Sequence, residues 1–223
     1  MNREPFATDQ YYHVYNRGTD KRRIFDDGAD YHRFIFAMKE FNTKFPVVLK
    51  TLKNHPNASK VQPWNDKSLI EILGWTLMPN HYHLLIKQLE DGGASKFLQK
   101  LVTGYSMYFN KRYERSGVLF QGRTKSVIVE TDAQLLQVSR YIHLNPLDLY
   151  FNNWKEEGIH WKEAKNYLYS YPWTNLKSFR KINDENEIIL AQLEENNGYE
   201  KFLSEWTERE YEYVKNYTLE KEG

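Results

Sequence analysis

Apolar and polar positions change period several times along the chain, and each change predicts an element. Tyr11–Arg17 (YYHVYNR) is short, aromatic and β-branched and ends at Gly18, the pattern of a first strand running into a loop. In residues 30–41, Phe34, Ile35, Met38 and Phe41 fall at helical intervals and predict a first helix. Residues 44–66 hold Pro46, Pro56 and Pro63 among polar neighbours and predict a loop, an inserted excursion with a strand at 47–52. Residues 69–78 and 81–87 both have strand character, and Pro79-Asn80 between them is turn chemistry, so an antiparallel hairpin is expected.

In residues 94–113 the positions Leu98, Leu101, Val102, Tyr105, Tyr108 and Phe109 recur every three or four residues and predict a second helix that ends at Ser116-Gly117. Leu119-Phe120 and Ser126-Val127-Ile128-Val129 read as extended pieces around Gly122. Thr131-Asp132-Ala133-Gln134 has the form of a capping box, so a third helix starts at Asp132 and runs to about Asn145, where Pro146 disfavours continuation. The clearest strand pair is a hairpin and parallel βαβ spacing is lacking, which predicts an α+β domain around an antiparallel sheet. We expect one main domain over residues 1–180 and an acidic, helical C-terminal extension over 181–223. No internal repeat is visible.

Composition narrows the chemistry. The absence of cysteine excludes disulfides, thiolate metal sites and cysteine nucleophiles, so a metal site must use His, Asp, Glu, Asn or Gln. The start lacks an apolar signal segment and no stretch is long enough to span a bilayer, which predicts a cytoplasmic, nucleoid-associated protein. The net charge of +1 hides an asymmetry: residues 181–223 hold 12 of the 30 acids and 5 of the 31 bases, leaving residues 1–180 with a surplus of eight positive charges. A basic body suits nucleic acid, although a solvated mixed-charge surface accounts for charge alone equally well.

Three groups of residues carry candidate chemistry. His81 and His83 lie two apart on a strand, so both imidazoles leave one face and can share an ion while Tyr82 points the other way. Two half-buried histidines beside a turn are the ordinary alternative, and a cation would need a third ligand. Tyr141 and Asn145 are four apart on the third helix and therefore neighbours, a nucleophile and an amide oxygen presented together. A cation held by imidazole and amide would polarise a phosphate, and a tyrosine could attack it and store the bond as a phosphotyrosine. A phenol, with an ordinary pKa of about 10, is also a tolerable leaving group for religation. The third group is the run Lys96, Lys100, Lys111, Arg112, Arg115, Arg123 and Lys125, interleaved with Phe97, Tyr105, Tyr108, Phe109 and Phe120, which suits phosphate contact and base stacking. An amphipathic helix with its rings in the core is the competing account.

Five segments in order resemble the single-tyrosine HUH transposases, most closely the REP-associated tyrosine transposases. They are YHVYNRG (12–18), LMPNHYHLL (77–85), SGVLFQGR (116–123), RYIHLNP (140–146) and Tyr171-Pro172-Trp173. The resemblance covers roughly residues 11–180. It implies a ferredoxin-like antiparallel sheet with helices packed on it, a Mg²⁺ or Mn²⁺ ion, and cleavage of single-stranded DNA beside a hairpin through a 5′-phosphotyrosine. It implies metal binding by His81 and His83 and attack by Tyr141. Its third ligand lies one helical turn after the tyrosine and is often Gln; here that position is Asn145, while His143 faces away on the helix. Arg17 joins the expected DNA-binding residues through the first segment. A homodimer is left open, as are two other functions: a catalytically idle hairpin-binding regulator and a metal-dependent phosphoesterase that uses water.

Overall fold

A computed structural model describes residues 5–45, 68–151, 153–179 and 198–215. The strand expected at 47–52 lies outside them. Strands β1 (Tyr11–Arg17), β2 (Ile70–Met78), β3 (His81–Gln88) and β4 (Lys125–Val129) form one antiparallel sheet in the order β2-β3-β1-β4. Helix α1 (Gly28–Phe41) connects β1 to β2, and α2 (Gly93–Arg112) connects β3 to β4. This βαββαβ order with β1 and β3 central is the ferredoxin-like arrangement that the resemblance implied. The first strand has the bounds expected, and those of the next two strands and the first three helices differ from expectation by at most two residues.

Alternation splits the sheet into two cores. One face carries Tyr12, Val14, Ile72, Trp75, Leu77, Tyr82, Leu84 and Ile86 into a cluster with the apolar sides of α1 and α2. The helices approach closely because Gly104 of α2 leaves room for the Phe41 ring, which a β-carbon there would meet at 2.6 Å. Where the two helices meet, Asp30 is fully buried and accepts from Arg112 (2.7 Å), Tyr113 (2.8 Å), Tyr108 (3.0 Å) and the Asp26 amide (2.9 Å).

The other face holds His13, Tyr15, His83 and Leu85, and α3 (Asp132–Leu144) lies on it. Helix α3 begins as predicted: Thr131 Oγ1 accepts from the Gln134 amide at 3.2 Å and Gln134 Oε1 accepts from the Thr131 amide at 3.3 Å. Pro146 does not straighten the chain but moves it into a 3₁₀ turn, Asn145–Leu149. Beyond it come α4 (Trp154–Glu157), α5 (Trp161–Ser170) and α6 (Leu176–Phe179), short helices not anticipated from periodicity. The described part of the acidic extension forms α7 (Gly198–Ser204) and α8 (Glu208–Val214), whose Tyr199, Leu203, Tyr211 and Val214, with Trp206 between them, join the α3 core.

The Asp30 cluster makes the α1–α2 layer sensitive to one substitution. Asp30→Ala leaves two phenols and the Asp26 amide without their acceptor, leaves Arg112 with Asp27 as its one carboxylate, and lowers stability by about 3 kcal/mol. Urea unfolding should show a reduced midpoint with an unchanged slope.

Candidate active site

Register across the two central strands builds the site. In the β1–β3 pair Tyr15 stands opposite His83 and Arg17 opposite His81; β2 adds Thr76 opposite His83, and β4 adds Lys125 opposite Tyr15. Residues on one rung share a face, so these side chains all rise toward α3. Tyr82 points the other way into the α1–α2 core, where it is fully buried against Phe34.

Helix α3 brings Tyr141 and Asn145 down onto this row. The Tyr141 ring is 1% exposed and meets the His83 ring edge-on, centroids 5.6 Å apart. One turn later Asn145 is fully buried, its backbone N–H donating to the Tyr141 carbonyl and its side-chain Oδ1 3.1 Å from His81 Nε2. The His81 and His83 rings stand perpendicular with centroids 5.0 Å apart. His81, His83, Tyr141 and Asn145 are thus one cluster.

Hydrogen bonds decide which nitrogens carry lone pairs. His81 Nδ1 lies 2.7 Å from Asn80 Oδ1, and Asn80 Nδ2 donates to the Lys21 carbonyl, so Asn80 presents an acceptor and His81 Nδ1 holds the proton. Both His81 nitrogens thus face amide oxygens, and with the proton on the shorter contact the Nε2 lone pair points at Asn145 Oδ1 3.1 Å away, an opposition that a cation between them would relieve. On His83 the Nδ1 atom lies 2.9 Å from His13 Nε2, while Nε2 is buried with no hydrogen-bond partner. Burial, with His81, His13, Lys155 and Arg17 adding repulsion, holds the His83 pKa well below its ordinary value and keeps the ring neutral at pH 7. The Asn145 Nδ2 is likewise buried without a partner.

This donor set fits a small divalent cation. Two lone-pair atoms 3.1 Å apart match an edge of an octahedron with bonds of about 2.1 Å, and the unpartnered His83 nitrogen gains a partner if a cation binds there. Among the described residues no group of three or more His, Asp and Glu side chains is arranged to hold a metal, so a cation here needs the amide oxygen.

Residues 7–145 match the family described as "Transposase IS200 like", a segment that starts before β1 and closes on Asn145. The chain belongs to the IS200-like transposase family. Among curated proteins none matches the chain. Among solved structures it is similar to a REP-associated tyrosine transposase bound to a REP hairpin, at 12% identity and a TM-score of 0.47 over 80% of this chain and 83% of that one. Among the described residues of this transposase no helix is long and apolar enough to cross a membrane.

The expected DNA-binding residues separate into two groups. Arg17 and Lys125 rise from the same sheet face as His81 and His83, and Arg123 lies in the loop leading into β4. Lys96, Lys100, Lys111 and Arg112 are on α2 and Arg115 just follows it, on the opposite side of the sheet. Lys100 donates to the Thr43 carbonyl, Arg112 is paired with Asp27 and Asp30, and the Arg115 guanidinium lies over Phe109.

Two residues at the transposase site escaped the sequence reading. His13 was visible only as part of a motif, because its place beside His83 depends on strand register. Lys155, in α4, sets its ammonium 5.8 Å from the centre of the Tyr141 ring and 3.0 Å from Asp148; no local pattern marks it. His143 does face away from the cluster. It is fully buried, with Nδ1 2.6 Å from the Tyr199 hydroxyl and Nε2 3.1 Å from Asn175 Oδ1.

Burial pulls the His143 pKa from 6.5 down to about 4. The unfolded chain therefore takes up this proton first as pH falls, so stability is lost between about 6.5 and 4 and is level above that window. The loss attributable to His143 is about 3 kcal/mol. Unfolding measured across this range for wild type and His143→Gln should give a shallower pH dependence in the variant.

Proposed function

We propose that the chain is a metal-dependent transposase nuclease that cuts and rejoins single-stranded DNA beside a hairpin through a phosphotyrosine. In this reading Tyr141 is the nucleophile, and His81, His83 and Asn145 hold Mg²⁺ or Mn²⁺. The observation that carries it is the cluster itself. One tyrosine stands against a neutral, buried histidine whose outer nitrogen lacks a partner, and a second histidine faces an amide oxygen at 3.1 Å.

The chemistry a bound cation supplies is polarisation of a non-bridging phosphate oxygen and relief of the charge that develops there. The phenol oxygen of Tyr141 forms a bond to phosphorus and loses its proton; the bond from phosphorus to the 3′ oxygen breaks, and that oxygen leaves and is protonated. The DNA 5′-phosphate is then held on Tyr141, and a 3′-hydroxyl attacking the same phosphorus reverses the step. The Lys155 ammonium beside the Tyr141 ring favours the negative charge that the phenol develops. Because Tyr141 is 1% exposed, the side chains over it must part before a phosphate reaches its oxygen.

Affinity comes from the basic side chains. Arg17, Arg123 and Lys125 flank the cluster and meet the strand being cut; on the other side of the sheet Lys96, Lys111 and Arg115 are placed for DNA that passes around it, while Lys100 and Arg112 bond within the fold.

Trapping on single-stranded hairpin DNA tests the reaction. With Mg²⁺ or Mn²⁺ the wild type should give a protein–DNA adduct that survives denaturation; Tyr141→Phe should give none, and His81→Ala or His83→Ala should bind DNA yet fail to cut it. Free ends released by Tyr141→Phe would instead mean attack by water, and normal cutting by either histidine variant would remove the metal assignment.

The flanking charges have a separate readout. Arg123→Ala combined with Lys125→Ala should lower the slope of log affinity against log salt by about 2 in hairpin-binding titrations. An unchanged slope would take both residues off the DNA path.

A further inference from the structure

Resting on the metal assignment above, we propose that His13 is a positioning residue for the cation site: it accepts the Nδ1 proton of His83 and thereby keeps His83 Nε2 as a lone pair. His13 is fully buried at the centre of β1, and its Nε2 lies 2.9 Å from His83 Nδ1. The two rings stack with centroids 5.1 Å apart and an interplanar angle of 20°, and Tyr15 packs against both, at 5.0 Å from His13 and 6.0 Å from His83. Ring packing restricts rotation, and the hydrogen bond selects the tautomer.

Only two arrangements of that proton exist while both rings are neutral. If His13 donates, His83 must carry its proton on Nε2, leaving a buried N–H without an acceptor, which costs its desolvation. If His13 accepts, the proton sits between the rings and His83 Nε2 keeps its electron pair. His81 is held in the same tautomer by a different acceptor, Asn80 Oδ1. Two adjacent histidines fixed by acceptors on their Nδ1 side and left with Nε2 lone pairs form the pattern in which outer partners orient imidazole ligands for a metal. His13 takes the place that a carboxylate or backbone carbonyl more often fills, and as an uncharged acceptor it adds no negative charge to a buried site.

The direct test is the tautomer itself, read from long-range ¹H–¹⁵N spectra of the metal-free wild-type protein, with His83 assigned by comparison with His83→Gln. A proton on His83 Nδ1 is expected; a proton on Nε2 overturns the proposal. The second test is Mn²⁺ affinity of the free protein, measured by electron paramagnetic resonance without DNA. His13→Phe, which keeps a ring and removes the acceptor, should weaken Mn²⁺ binding about 10- to 100-fold, and His13→Gln, which restores an acceptor near the Nε2 position, should recover most of it. Equal affinity in wild type and His13→Phe overturns the positioning role and leaves the metal assignment standing. Failure of wild type itself to bind Mn²⁺ overturns both. Should His13→Phe not fold, His13→Met against His13→Gln makes the same comparison.

Discussion

Antiparallel pairing of β1 with β3 is the constraint on which the site depends. Their register sets Tyr15 opposite His83 and Arg17 opposite His81, so both histidines and the side chains nearest them leave one face of the sheet together. A slip of one residue would turn Tyr15 and Arg17 to the far side and bring Val14 and Asn16 into the row. The opposite face forbids that slip, because Tyr12, Val14, Tyr82, Leu84 and Ile86 are buried there against α1 and α2. The stability of the α1–α2 layer therefore fixes chemistry on the side it never touches.

Much of this was legible in the chain. Aromatic and β-branched runs bounded by Gly18 and by Pro79-Asn80 exposed the strands, and the Thr131–Gln134 pair placed the start of α3 at Asp132, where it stands. A His-x-His on a strand and a Tyr–Asn pair one turn apart on a helix each announced a shared face, since those periodicities are local. What stayed hidden is what local periodicity cannot encode. His13 reaches His83 across 70 residues of sequence, through a strand pairing that no spacing within β1 reveals. Lys155 reaches the Tyr141 ring from α4, beyond the 3₁₀ turn Asn145–Leu149, a path that no local spacing encodes.

The basic stretch shows a different kind of limit. Its composition read as a single DNA-holding surface, but α2 lies across the sheet from Tyr141, and two of its charges are spent inside the fold. Arg112 closes the buried Asp30 cluster, and Lys100 ties α2 to the Thr43 carbonyl. Composition counts charges, whereas the fold decides which remain for a partner. Arg17, Arg123 and Lys125, separated in sequence, are the ones that the sheet and its adjoining loop gather near the histidines.

The shorter amide at the proposed third-ligand position is accommodated by how the end of α3 is fixed. Asn145 has one methylene less than glutamine, so the helix must sit closer to the sheet for its Oδ1 to stand 3.1 Å from His81. Two residues earlier, His143 supplies the means. Asn175 Oδ1 accepts from the Trp75 amide at 2.7 Å, and its Nδ2 donates to the Leu73 carbonyl at 2.9 Å, so its orientation is set by β2. That oxygen must then accept from His143 Nε2, and the other ring nitrogen, Nδ1, lies 2.6 Å from the hydroxyl of Tyr199 of α7. The helix end is thus held between β2 and the C-terminal extension by a buried, neutral histidine. A residue that faces away from the cluster in this way determines whether the amide on the facing side can reach it.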